Sequence, residues 1–282
     1  MDYSGAYEAI YDLTYFQAFS TYTGLIGSSE PIHFTVSWIA SNLGLSRIYF
    51  ISTVNAFLVI AFLILGKKMN GSLFVLVMVA LSNFYFFALF TELERLKFAF
   101  LFFFIAMYFI ENKKLFYVFS IVTVLTHLQF LVIYSGFFLI YFLKQFKNVA
   151  VNYRIEIKAF FISLLIILIL VAMSNQLIAK MSHYYIGLNY FALLKVSPFI
   201  LLILFYSRNK RESLVFITPL LLMLLLVGGN RLNIFAYFIF LFYALKKNKG
   251  LNLSILMTTL YYFASSTIFI FNIFEYGRGY GM

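Results

Sequence analysis

From Arg47 onward the chain reads as long apolar stretches separated by short polar breaks. A backbone placed in hydrocarbon must satisfy every N–H and C=O internally, so such stretches become helices or a closed barrel. They show no strict two-residue alternation, which selects helices. At 63% hydrophobic and 11% charged over 282 residues, the chain also lacks the polar surface that a soluble domain of its size needs. The expected fold class is all-α, a polytopic membrane helix bundle forming one integral membrane domain over 1–282.

Ten spans are predicted, approximately at 47–66, 72–90, 96–111, 114–126, 128–143, 159–179, 189–207, 213–228, 231–246 and 251–272. The fourth and fifth meet at His127 without a polar loop. They form either a helical hairpin that turns within the membrane or one long bent helix, and the parity of the later charge clusters favours two crossings. Residues 1–46 form an external or re-entrant segment ahead of the bundle. Its Tyr-rich start is helical between about Tyr7 and Tyr22 and lies at the interface. Ser28, Ser29, Glu30 and Pro31 signal the start of a helix. That helix runs to Leu43, closes at Gly44, and is too short to span comfortably.

Charge fixes the expected orientation. One set of connections gathers fourteen Lys and Arg, from Lys67 and Lys68 to Lys249, against only Glu111, Glu156 and Glu212. That side is cytoplasmic. The opposite side balances seven bases with seven acids and holds all three histidines, so the formal +11 lies inside. Bases dispersed over short connections do not make the single exposed face of a nucleic-acid reader, and no nucleic-acid partner is expected. The first basic residue is Arg47, which fits an external N-terminus. With no cysteine, disulfides and Cys-ligated metals are excluded. The histidines stand far apart and there is neither a phosphate loop nor a nucleophile elbow, so no metal or cofactor is expected.

Ionisable groups beside a span are expensive to keep there, which makes the external ones functional candidates. The stretch TELERLKFAF places Glu92, Glu94, Arg95 and Lys97 at the external mouth of the third span. Two readings compete. One is a pair of solvated i, i+3 ion pairs, Glu92 with Arg95 and Glu94 with Lys97. The other is that Arg95, assisted by Lys97, grips a phosphate or pyrophosphate through its two-pronged guanidinium. Arg231 follows Gly228, Gly229 and Asn230 at the start of the ninth span, where free backbone N–H groups and a guanidinium converge on an anion. A tight turn with a snorkelling Arg is the alternative. His127 stands beside Thr126 and Gln129 as a base or a sugar-hydroxyl partner, or else as a buried imidazole satisfied by a carbonyl. Glu30 is a helix cap or a catalytic carboxylate, with capping favoured by the helix dipole. His33, one turn into the helix, is likewise a cap or a catalytic group, and His33, Glu92 and Asn230 are the candidates for holding an acceptor sugar.

The order of these features resembles a known family. A Tyr-rich start is followed by a Glu-Pro before a short helix (SSEPIHFTVSWIASNLG). An Arg then opens a span (ELERLKFAFLFFFIAMYFIENKK), and a histidine comes one span later (YVFSIVTVLTHLQFLVIY). This succession resembles the EpsG family of polysaccharide polymerases, relatives of the Wzy O-antigen and capsule polymerases. It covers roughly residues 1–145, with a weaker echo at NRLNIFAYFIF. Leu96 stands where the family usually has Gln after the motif Arg.

The resemblance implies a bacterial inner-membrane glycosyltransferase similar to family-C enzymes, working at the periplasmic face without nucleotide sugar or metal. It would move a growing glycan from undecaprenyl pyrophosphate to a lipid-linked repeat unit, with membrane lipids and a chain-length regulator protein as further partners. On that expectation Arg95, Lys97 and Arg231 hold the pyrophosphate, and His127 or Glu30 orients or deprotonates the acceptor. A flippase of lipid-linked sugar is the main alternative; it should show an internal repeat and discontinuous helices at mid-depth, and the sequence displays neither. A membrane O-acyltransferase is the third reading, supported by the external histidines alone.

Overall fold

The computed structural model describes residues 3–27, 30–152, 190–227 and 232–277. They form helices, with no strand among the described residues. The order is α1 (Tyr3–Ala9), α2 (Tyr15–Ile26), α3 (Pro31–Asn42), α4 (Arg47–Lys68), α5 (Leu73–Ser82), α6 (Phe84–Thr91), α7 (Glu94–Tyr108) and α8 (Lys113–Thr126). A 3₁₀ turn (Leu128–Phe130) precedes α9 (Leu131–Asn152). Then come α10 (Tyr190–Tyr206), α11 (Lys210–Val227), α12 (Leu232–Leu245), a second 3₁₀ turn (Asn248–Gly250) and α13 (Leu253–Tyr276).

Among the described residues, three segments are long and apolar enough to cross a membrane: Arg47–Lys68, Leu128–Phe146 and Asn248–Tyr276. A fourth crossing results if α5 and α6 count as one. Helices α7, α8, α10 and α12 have 15, 14, 17 and 14 residues, short of the ~20 that a bilayer core asks of an upright helix. The predicted sixth span, 159–179, lies outside the described residues.

The predicted span 72–90 is not one helix. It bends by 58° between α5 and α6. Neither Pro nor Gly stands at the break; Asn83 makes it, adopting extended dihedrals (φ −84, ψ 125) and accepting a hydrogen bond from the Tyr85 N–H at 2.8 Å. An Asn cap thus starts α6 anew. The Ser82 carbonyl freed by the bend accepts from Ser266 Oγ of α13 at 2.9 Å, and Tyr262 of α13 reaches the Tyr85 hydroxyl at 3.1 Å. Non-helical backbone is tolerated in such a place only when protein groups satisfy it.

The described chain groups into two compact units, Met1–Phe130 with Leu245–Met282, and Leu131–Ala244. In the first, the N-terminal segment forms two helices where one was predicted. Asp12, at φ 58, turns the chain between α1 and α2. Ala6, Ile10, Ala18, Tyr22, Ile26 and Phe34 bury one cluster, and Tyr7, Ala40, Phe50, Val54 and Phe98 knit α1, α3, α4 and α7 into another. Trp38 Nε1 donates to the Leu13 carbonyl at 3.0 Å, Ser41 Oγ to that of Tyr7 at 3.0 Å, and the Tyr7 hydroxyl to that of Leu45 at 2.9 Å. These bonds fix the short helix α3, and the turn that follows it, against α1 and the turn after α1. In the second unit α9 packs on α11 so closely that a Cβ at Gly136 would collide with the Phe216 carbonyl oxygen. Ser213 there donates to the Tyr243 hydroxyl at 3.1 Å.

Candidate functional site: two linked carboxylates

Helix α3 brings Glu30 and His33 to one side, one turn apart. Pro31 supplies the preset φ at the first helical position, and Glu30 stands before it as the N-cap residue. Its carboxylate makes no capping hydrogen bond. The expected capping role is therefore corrected: with an exposure of 4%, the side chain turns inward and spends its oxygens elsewhere. Oε2 accepts from Arg95 Nη1 at 2.9 Å, and Oε1 meets His127 Nδ1 at 2.8 Å. His127 ends α8 with extended dihedrals (φ −157, ψ 114), which swing its ring off the helix axis. Its other nitrogen faces Gln129 Oε1 at 3.2 Å. His127 is thus satisfied by a carboxylate and an amide, not by a carbonyl of the backbone.

Beside this triad lies a second. Glu94 is the first residue of α7, where a negative charge suits the helix N-terminus. Its Oε2 accepts from Arg47 Nη2 of α4, and its Oε1 lies 3.6 Å from His33 Nε2, an electrostatic contact longer than a hydrogen bond. The Tyr22 hydroxyl closes the chain at 2.7 Å from His33 Nδ1. A carboxylate facing Nε2 favours the proton there, so the Tyr22 O–H donates to Nδ1. Burial, with the Glu94 charge added, raises the Tyr22 pKa and keeps that hydroxyl protonated. Burial works against the Glu94 charge, but His33, Arg47 and Lys97 outweigh it and hold the carboxyl below its ordinary value.

Sequence neighbours Glu94 and Arg95 thus reach to different partners on other elements. Arg95 pairs with Glu30, Glu94 with Arg47. Burial opposes the Arg95 charge, while Glu30 and Tyr3 outweigh burial and raise its pKa. Tyr3 on α1 also hydrogen-bonds Arg95, and its ring meets His33 edge-on at 6.1 Å, so α1 lies over both triads.

Lys97 departs from its expected role at the membrane surface. It is 1% exposed, and Nζ donates at 3.1 Å to the Phe90 carbonyl in the last turn of α6. There it satisfies a helix end, joined by Asn55 Nδ2 at 3.4 Å on the same oxygen. Leu96, the departure from the family motif, is a core residue at 3% exposure. Asn230 and Arg231 lie outside the described residues.

Arg47 is the group that sequence reasoning missed as a site residue. In the sequence it stands out only as the first base of the chain, and its position at the N-terminal turn of α4, where a cation opposes the helix dipole, is the available signal. Within the cluster, the bases Arg47, Arg95 and Lys97 face the two carboxylates of Glu30 and Glu94. With Lys97 protonated and the histidines neutral one positive charge remains, and protonation of either imidazole adds to it. Such an arrangement favours an incoming anion. Its Glu–His contact also supplies a polarised imidazole for proton transfer. Among the described residues, no group of three or more His, Asp or Glu side chains is disposed to hold a metal.

Comparison with known proteins finds no matching family model, no matching curated protein and no matching solved structure.

Proposed function

We propose that the chain is a bacterial inner-membrane glycosyltransferase of about ten spans, resembling EpsG and Wzy-like polymerases. It would transfer a glycan from undecaprenyl pyrophosphate to a lipid-linked repeat unit at the periplasmic face. The observation that carries the reading is the meeting of Glu30, Arg95 and His127. Glu30 and His127 stand 97 positions apart in the chain and Arg95 lies on a third element, yet Glu30 bonds directly to both.

In the reaction, the acceptor hydroxyl oxygen bonds to the anomeric carbon as the carbon–oxygen bond to pyrophosphate breaks. The electron pair departs with the pyrophosphate, and the hydroxyl proton passes to a base. Arg95 neutralises charge as it grows on the leaving group, and the cationic excess around it lowers the cost further. Glu30 anchors both Arg95 and His127, so the anion-binding group and the proton acceptor are held at a fixed separation. His127 receives the proton, and Glu30 stabilises the imidazolium that results. Tyr3 on α1 bonds to Arg95, so substrate admission requires that contact to be exchanged for phosphate oxygens.

A transporter of lipid-linked sugar is the second reading, and one finding favours it. Contrary to the sequence expectation, a discontinuous helix is present, at the α5–α6 break. Its freed groups bond to α13, however, which leaves the break a structural explanation. Incubation of the purified protein with lipid-linked repeat units decides between them. A ladder of lengthened glycans, lost in Arg95→Ala while the protein still inserts, is the expected result. Unchanged glycan with the wild type, or normal chain length in Arg95→Ala, overturns the proposal.

A further inference from the structure

Away from the carboxylate cluster, the far ends of α4 and α7 form a groove of about 810 Å³. Leu63, Ile64, Leu73, Tyr108 and Phe109 line it, and Lys67, Lys68 and Glu111 stand at its rim. A second hollow of about 370 Å³ continues it between the same helices, sharing Ile64, Tyr108 and Phe109 and ending at Phe57 and Leu101. From Lys67 back to Phe57 is ten residues, or roughly 15 Å of helix. That is half of the ~30 Å hydrocarbon core, the depth of one leaflet. The rim belongs to the side that the distribution of Lys and Arg makes cytoplasmic.

Charge at the rim is unevenly used. Lys68 is already engaged: Nζ donates to the Tyr108 carbonyl at 2.7 Å, lies 3.5 Å from the Glu111 carboxylate, and sits 5.2 Å from the centre of the Tyr108 ring. Lys68 thereby offsets Glu111, which would otherwise repel an anion. Lys67 is exposed and makes no ion pair among the described residues. Lys113 and Lys114 begin α8 directly after Asn112, which also lines the groove, and both are exposed. Cations at one end of a leaflet-deep apolar channel match an anionic head group joined to an acyl chain.

We propose that this groove binds one anionic phospholipid of the cytoplasmic leaflet, with its phosphate at Lys67 and an acyl chain along Ile64, Ala61 and Phe57. The inference needs only the membrane placement of α4 and does not depend on the polymerase reading. Native mass spectrometry of the full chain in detergent tests it, with phosphatidylglycerol and phosphatidylcholine of identical chains as probes. One phosphatidylglycerol adduct should persist at lipid concentrations where phosphatidylcholine leaves none. Lys67→Gln should weaken that adduct about fivefold. Ala61→Phe, which fills the channel from a half-exposed position, should abolish it without lowering the melting temperature. Equal retention of the two lipids, or full binding by a folded Ala61→Phe protein, overturns the proposal. So does a wild-type dimer that Ala61→Phe dissociates, since a second copy would then be the occupant.

Discussion

The two ends of the α4 and α7 pair carry similar residue types in opposite circumstances. At the N-terminal end of each, Arg47, Glu94 and Arg95 are drawn into the protein. The Glu94 side chain is 8% exposed and that of Arg95 11%, and every bond named for them reaches another element. At the C-terminal end, Lys68 pairs with a Glu111 side chain that is 83% exposed. Water screens the second pair, and such contacts contribute little. Water is largely absent from the first, where desolvating each ion costs several kcal/mol, about what the contacts return. A chain has no stability reason to bury Glu30, Arg95 and Glu94 together, beside an Arg47 side chain that stays 31% exposed, when apolar packing would serve. The difference lies in the carboxylates: Glu94 and Glu30 are enclosed with partners from other helices, whereas Glu111 faces water.

The largest effect that tests this contrast is Glu30→Ala, which leaves Arg95 buried without its carboxylate. Thermal unfolding in detergent should show a loss of about 3–5 kcal/mol. The double variant Glu30→Gln/Arg95→Gln should regain most of that stability and still make no polymer, which separates structural pairing from function. Next, Arg95→Ala should reduce ladder formation about 10²- to 10³-fold, the range seen when one preorganised charge-stabilising group is removed. Lys68→Ala at the opposite end should change it less than twofold, and comparable losses at both ends would break the contrast.

A smaller effect is expected from Glu94. Its folded-state pKa lies below the ordinary 4.5, so the stabilisation it contributes is complete above that value and disappears as pH falls through the lower folded value. Melting temperature should therefore drop as pH is lowered below about 4.5, and Glu94→Gln should flatten that part of the profile. Smallest of all is Lys144→Ala in the second unit. Its 2.9 Å pair with Glu212 joins side chains that are 60% and 43% exposed, and the melting curve should move by less than about 1 kcal/mol.

Much of the helical layout was legible because apolar runs and caps are local signals. Pro31 started α3 as read, Ser46 and Ser72 cap α4 and α5 by accepting from Tyr49 and Val75, and His127 interrupts the chain between α8 and α9. Hydropathy could not show the break at Asn83. Its neighbours Ser82 and Phe84 read as continuous helix, and what stabilises the bend is Ser266 on α13. Nor could spacing show the exchange of partners between Glu94 and Arg95. Local rules pair residues three or four apart, whereas Arg47 and Glu30 reach them from α4 and α3, 47 and 65 positions away. Lys97 shows the same limit: a charge at a helix mouth looks surface-bound until the α6 carbonyl beneath it is seen.

The bond from Ser266 to the Ser82 carbonyl spans 184 positions. Ribosomes add about 5–20 residues each second, so roughly ten to forty seconds separate the emergence of the two partners. Throughout that interval the Asn83 cap on the Tyr85 N–H can form locally, whereas the Ser82 carbonyl still lacks its Ser266 partner. The contact that ties the α5–α6 bend to α13 is accordingly completed only after α13 has been made.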